Sequence, residues 1–510
     1  MSWTYDNDFR VTSEKVNGSN TANFAYDADG LLTAAGSLTL ARNAQNGLLT
    51  GTSLSSSGTT QSYNSFGEMS HFTANQGASA VLDIVYQRDD LGRIVQKTET
   101  IGGLTDTYAY GYDAAGRLSL VGKNGTTTAS YAYDANGNRL SRTTPGGTET
   151  GTYDNQDRLF TYGTKTYAYT ANGELLTKTD TATSQTTQYT YDALGNLNTV
   201  LLPDGRRIDY LVDGRNRRVA KKVNGAFVQK FLYNDQLRIA AELSPTNAVV
   251  SRFVYATRVN VPDYVVKGST TYRIVTDHLG SPRLVINTST GAIAQRMDYD
   301  EFGRVTLDTN PAFQPFGFAG GLYDPDTGLV RFGARDYDAE AGRWNLRDPV
   351  LFGGFDTNLF GYAENDPINW IDAGGLQRLL FDGQHIYWQD DRGNMLETLN
   401  ATSGPWGNGR LPEGSYTGYN LRRRTKPGMF CGTDTSTGWS LDLDPNFRTD
   451  RTDLRIHPDG GIVGTEGCIG VACNQSEHLY EDLETFFKSG NFFSEVTVDY
   501  SKDPLYSISR

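Results

Sequence analysis

The feature that most restricts this chain is a short phrase repeated along it. "YDADGLL" begins at Tyr26, "YDAAGRLSL" at Tyr112, "YDANGNRLS" at Tyr133, "YDNQDRLF" at Tyr153, "YTANGELL" at Tyr169 and "YDALGNLNTV" at Tyr191, and "YDEFGRV" returns at Tyr299. "DDLGRIV" at Asp89 and "VDGRNRRV" at Val212 are degenerate copies. Counted on the glycine or its replacement, the run Gly92, Gly116, Gly137, Asp157, Gly173, Gly195 and Asn216 advances by 24, 21, 20, 16, 22 and 21 residues. Such a period has room for two strands of roughly five to eight residues and two turns. The Asp-x-x-Gly piece supplies one turn, because Asp bonds back to the backbone and Gly, Asn or Asp tolerates positive φ. Between turns, "TYAYGY" and "TTQYTY" alternate threonine with aromatic residues at strand period. Stacked hairpins of this kind build a long sheet whose interior edges are all paired. The tyrosines read as ladder residues of that sheet.

A chain of 510 residues suggests two to four domains. Its 30 tyrosines and 56 glycines favour strands and tight turns over helices. A net charge of −13 argues against a general nucleic-acid-binding surface, so no nucleic-acid partner is expected. No apolar run approaches bilayer-spanning length. "MSWTYDNDFRVTSEKV" has neither a basic n-region nor an apolar h-region, so no signal peptide is expected. The chain opens mid-pattern, which creates an expectation of further sequence upstream. Its three cysteines, Cys431, Cys468 and Cys473, all lie in the last eighty or so residues and are odd in number. They do not form a disulfide framework, and at least one free thiol is expected.

The repeat resembles that of the YD-repeat (RHS-repeat) proteins, in which such hairpins spiral into a hollow shell around a toxic cargo. The same family includes the C subunits of insecticidal Tc toxins. The resemblance runs over about residues 20–376 and is sharpest in the last hundred. There "DHLGSPRLVINTSTGAI" at Asp277, "YDEFGRV" at Tyr299 and "FGFAGGLYDPDTGLVRFGARDYDAEAGRW" from Phe316 look like the RHS-associated core that closes one end of the shell. "LFGYAENDPINWIDAGGL", Leu359–Leu376, looks like its terminal plug. The resemblance implies that the chain cuts itself after Leu376. The matching acids are Asp348 in "RDPVL" and Asp372 in "DAGGL", with Arg347 beside the first. Two carboxylates held close do not both ionise easily, so one keeps a proton while the other activates water. "DPVL" lacks the family's usual glycine, and "DAGGL" has alanine where proline is usual. The expected organisation is a YD-repeat β-shell over 1–270, an RHS-associated core with an autoproteolytic plug over 271–376, and a C-terminal toxin domain over 377–510.

Past Leu376 the YD rhythm ends. The tail is long enough for an independent domain. "FDGQHIYWQDDRGNMLETL" reads as a hairpin, "RLPEGSYTGYNL" as a turn entering a strand, "DLRIHPDGGIVGTEGCIGV" as strand, glycine-rich turn and strand, and "FFSEVTVDYS" as a closing strand. Ser476–Ser489 has an N-cap serine and one apolar helical face. This makes the domain mainly β with one helix.

Three chemistries compete for Cys468. A zinc site could draw on Cys431, His457, Cys468, Cys473 and His478, but there is no CxxC pair and Cys-x4-Cys is loose. A small buried cysteine would be simply structural. A nucleophile needs a base and a turn whose amides face the developing oxyanion, and His457, eleven residues earlier, and Gly467 supply both types. "IHPDGGIVGTEGCIGV" is similar to the His…[Ser/Thr]-x-Gly-Cys signature of L,D-transpeptidases, and "LPEGSYTGYNL" to the strand that precedes it. The resemblance covers roughly Pro405–Val471 and extends to L,D-transpeptidase-like effectors of type VI secretion. It implies Cys468 as nucleophile, His457 as base, Thr465 as the Ser/Thr and Gly467 as the oxyanion-turn glycine. The loop between His457 and Cys468 is shorter than in housekeeping enzymes, and Gly470 stands where an arginine often follows. No cofactor and no metal are expected, and Cys431 and Cys473 carry no assigned role, with core packing the default for both.

Together the two resemblances imply an interbacterial toxin delivered from its producer, whose freed cysteine enzyme acts in the target periplasm. Its substrate would be peptidoglycan stem peptides. Its partners would be a cognate immunity protein and a secretion-system delivery component. The alternative is a non-enzymatic cell-surface YD-repeat protein whose last domain only binds cell wall.

Overall fold

The computed structural model describes residues 1–375, positions 9 and 350–357 excepted, and the backbone of eight strands between Arg378 and Val498. The first thirty strands, from Ser2–Tyr5 to Val305–Asp308, form one antiparallel sheet in which each strand pairs with the next in sequence. Because the YD phrase recurs every second connection, its turns fall on one edge of this sheet. Two-residue turns such as Asn124-Gly125 form the other.

The turn at Asp113 shows why the phrase is fixed. Gly116 N–H donates to the Asp113 carbonyl at 3.0 Å, which requires the glycine's φ of 83°. One carboxylate oxygen of Asp113 accepts the N–H groups of Ala115 and Arg117 at 2.9 and 3.0 Å, and the other accepts Arg117 Nε at 2.7 Å. Where glycine is replaced, φ stays positive, at 59° for Asp157 and 63° for Asn216.

Several tyrosines then fasten their repeat to the one before. Tyr112 Oη donates to the Ile94 carbonyl at 2.6 Å, Tyr133 to Leu118 at 2.9 Å, Tyr153 to Arg139 at 2.9 Å and Tyr233 to Arg218 at 2.9 Å. The arginine of the earlier turn lies over the same ring: Arg93 is 4.5 Å from the Tyr112 centroid and Arg117 4.9 Å from that of Tyr133. The expectation of ladder tyrosines in an all-β repeat is met, with phenol and ring both used. Tyr133→Phe orphans the Leu118 carbonyl and should lower stability by about 1 kcal/mol, read as a shift in the denaturation midpoint.

The later strands of the spiral return onto the early ones. Arg252 meets Glu14, Arg283 meets Glu99 and Asp298, and Ser56 Oγ donates to the Thr288 carbonyl at 2.6 Å. Leu82, Ile84 and Ile94 of the early run share a core with Val275, Leu284 and Ile286 of the later one. A separate four-stranded sheet follows: Leu322–Tyr323, Leu329–Phe332, Arg335–Asp338 and Arg343–Trp344. Residues 360–373 then close on the YD-turn edge. Ile94 N–H donates to Asn369 Oδ1 at 2.8 Å, Asn369 Nδ2 donates to Tyr112 Oη at 2.8 Å, and Asn365 Nδ2 donates to the Gly137 carbonyl at 2.9 Å.

The chain divides into two compact units, residues 1–346 with 360–373, and residues 347–359 with 374–510. In the second unit eight strands close a barrel in the order Arg378–Phe381, His385–Gln389, Met395–Thr402, Ile469–Val471, Arg455–Pro458, Gly438–Pro445, Gly414–Arg424 and Phe493–Val498. Leu443, Ile456 and Ile469 are buried. No α-helix occurs among the described residues, and the helix expected over Ser476–Ser489 lies outside them. One local expectation changes. Arg455–Pro458 and Ile469–Val471 are not arms of a hairpin but run parallel, with Ile456 beside Ile469 and His457 beside Gly470.

Candidate functional site

The strand Arg335–Asp338 has the sequence Arg-Asp-Tyr-Asp, and all four residues are buried, although strand alternation would turn two of them outward. It is tolerated because each polar group has its own partner, brought from a distant segment. Asp336, with no exposed surface, takes Arg218 at 2.8 Å and Arg331 at 3.0 Å. Tyr337 Oη donates to the Phe302 carbonyl at 2.8 Å. Burial alone would raise the Asp338 carboxyl, but Lys178 at 2.8 Å outweighs it and holds the group below its usual range.

Arg335 takes Asp372. The guanidinium reaches the Asp372 carboxylate at 3.0 Å while lying 4.2 Å from the Trp344 ring centroid. Asp372 is 2 % exposed, and Tyr337, Trp344 and Tyr362 pack together nearby in sequence, with Tyr337 and Tyr362 centroids 4.3 Å apart. This arrangement holds the carboxylate away from solvent and fixed in direction. Arg347, expected beside Asp348, is exposed, and the cation on Asp372 is Arg335, which the sequence did not single out. The only sequence signal for Arg335 is a strand with charges on both faces. In the second unit Asp348 is buried and its N–H donates to the Leu359 carbonyl at 2.7 Å. Leu376 lies outside the described residues.

His278 secures the closing segment from the other side. Its Nε2 donates to the Ile368 carbonyl at 2.7 Å, its ring meets Tyr86 at 4.8 Å, and Nδ1 is shut away from solvent. Burial pulls this imidazole well below its usual range. A neutral histidine of lowered pKa contributes stability that is complete above the unfolded value of about 6.5 and is lost as pH falls below it. Asp366, pushed up to about 6 by burial, works in the opposite sense over an overlapping range. The pair His278→Gln against parent isolates the histidine, since the Asp366 contribution cancels. The parent's stability advantage should shrink by up to about 1.4 kcal/mol per pH unit below 6.5, measured by denaturation between pH 7 and 5.

Of the residues expected to carry cysteine chemistry, Thr465, Gly467 and Cys468 lie outside the described residues, as do Cys431 and Cys473. The backbone of His457 is described, and its register neighbour is Gly470, two residues past Cys468.

Known proteins share the first unit. A family model described as Teneurin YD-shell matches residues 1–368. Mouse Teneurin-4 is 28% identical over 388 residues, covering 72% of this chain but only 14% of its own length. A protein of Burkholderia cenocepacia named double-stranded DNA deaminase toxin A is 26% identical over 380 residues, covering 63% of this chain and 25% of itself. Among solved structures, the Photorhabdus luminescens Tc holotoxin pore, with a TccC3 mutation, matches with a TM-score of 0.61 at 18% identity, over 73% of this chain and 21% of that one. At that identity the likeness is one of fold. The chain therefore spans a small part of each of these relatives, and through residues 1–368 it belongs to the Teneurin YD-shell family.

Proposed function

We propose that this chain is a toxin of the shell-and-cargo type, whose YD shell releases a cysteine enzyme that attacks peptidoglycan stem peptides. A shell family that includes a relative named as a toxin supports the first half. The observation that carries the second is the parallel register that sets His457 beside Gly470, the second residue after Cys468. His457 and Ile469–Val471, on either side of the Thr-x-Gly-Cys phrase, lie on neighbouring parallel strands.

Release would follow a cut after Leu376. Of the two acids expected to act, Asp348 and Asp372, one would keep its proton while the other activates water. In the freed domain His457 takes the Cys468 proton, and the thiolate attacks a stem-peptide carbonyl while the turn at Thr465–Gly467 receives the oxyanion. Collapse expels a D-amino acid and leaves a thioester. Water then completes carboxypeptidase action, or a free D-amino acid completes exchange. The producer would need an immunity protein and a delivery component, and the enzyme would act in the periplasm of the target cell.

The teneurin matches favour one other reading, a surface protein whose last domain only binds wall. Expressing residues 377–510 with a periplasmic signal separates the two. Lysis that disappears with Cys468→Ala supports the enzyme, and lysis that persists counts against it.

A further inference from the structure

Residues 363–371 cross the YD-turn edge between two fixed points. At one end Tyr362 has no exposed surface and packs against Tyr337, their ring centroids 4.3 Å apart. At the other, Arg335 holds Asp372 at 3.0 Å. In between, the segment is attached largely through single polar bonds. Asn365 Nδ2 donates to the Gly137 carbonyl, Asn369 bonds Tyr112 Oη and the Ile94 N–H, and His278 donates to the Ile368 carbonyl. Ile368 joins the core around Leu82 and Ile84.

The backbone entering this segment is strained. Ala363, Glu364 and Asn365 have φ of 47°, 45° and 64°. Their left-handed turn is closed by Asn365 N–H to the Tyr362 carbonyl at 2.9 Å and Asp366 N–H to the Ala363 carbonyl at 2.8 Å. Asparagine tolerates this region, but alanine and glutamate enter it only at a cost. Elsewhere among the described residues, non-glycine residues at positive φ stand singly. A strained turn persists only where its surroundings over-determine it, and here the two pinned ends and the polar bonds do so.

We propose that residues 363–371 are a strained strap that lifts off the YD-turn edge as one unit while the sheet beneath stays folded. Lifting breaks the polar bonds to Gly137, Ile94, Tyr112 and His278 and unseats Ile368, but it breaks no strand pairing and it relieves the left-handed turn. Segments that open this way are drawn from the least stable part of a fold, and the stored strain puts the strap there.

Amide hydrogen exchange of the full chain tests this. The N–H groups of Ile94, Asn365 and Asp366 are bonded to the strap or within it, and they should exchange together. Their rate should be at least about tenfold above that of ladder amides in the paired stretches Gln96–Ile101 and Leu104–Ala109. Glu364 is exposed, and Glu364→Gly and Glu364→Ala lose the same carboxylate, so comparing the two reads the backbone alone. Glycine ordinarily loosens a segment relative to alanine. Here it relieves the turn, and the three amides should exchange at least about threefold more slowly in Glu364→Gly than in Glu364→Ala. Equal or faster exchange in Glu364→Gly, or three amides that open only together with the ladder, would overturn the strap. The readout lies wholly in the first unit and depends on neither the cut after Leu376 nor the cysteine chemistry.

Discussion

Asp372→Asn should leave the protein as one full-length band of 56.1 kDa on a denaturing gel, where the parent should give a shell fragment and a C-terminal fragment beginning after Leu376. Asparagine keeps the size and planarity of the side chain, so the packing around Trp344 should survive. What is lost is the carboxylate that Arg335 holds in place at 3.0 Å. An amide oxygen is too weak a base to take a proton from water, so the cut should stop rather than slow slightly. Arg335→Met offers a second reading of the same site, because it leaves Asp372 buried without its cation. It should slow cleavage while leaving some product. Cleavage after Leu376 at the parental rate in Asp372→Asn would remove Asp372 from the chemistry.

Asp336→Ala should be the most damaging single substitution in the shell. The aspartate has no exposed surface and pairs with two arginines, Arg218 and Arg331, both themselves buried. Alanine leaves both cations in a dry interior, and removing one member of a buried pair costs about 3–5 kcal/mol. That is a large share of the roughly 5–15 kcal/mol that holds a typical domain together. The expected readout is insoluble or protease-sensitive protein. Tyr133→Phe, which removes one hydrogen bond on the sheet, should by contrast express normally. An Asp336→Ala protein melting within a few degrees of the parent would show that the charge network contributes little.

The repeat could be read from sequence because its causes are local. An aspartate, a glycine three residues on and a following arginine fix one turn, as at Asp113, Gly116 and Arg117, and no distant residue is needed. The strand Arg335–Asp338 is the opposite case. Its burial rests on Arg218, Lys178 and Asp372, all far away in the chain, and alternation alone would have turned half of it to solvent. Arg335 was invisible for the same reason. In the second unit, glycines around His457 suggested a hairpin, but strand direction is set by which neighbours close the barrel, and those lie elsewhere in the chain. The residue types of the cysteine phrase were legible, while their arrangement in space is not a property of the phrase.

The most direct measurement is mass spectrometry of peptidoglycan fragments after incubation with the purified parent and with Cys468→Ala. The parent should yield stem peptides shortened by their terminal D-amino acid, or carrying a different one when a free D-amino acid is supplied, and Cys468→Ala should leave every stem unchanged. Untouched stems with both proteins, or the same products with both, would contradict a wall-directed cysteine enzyme.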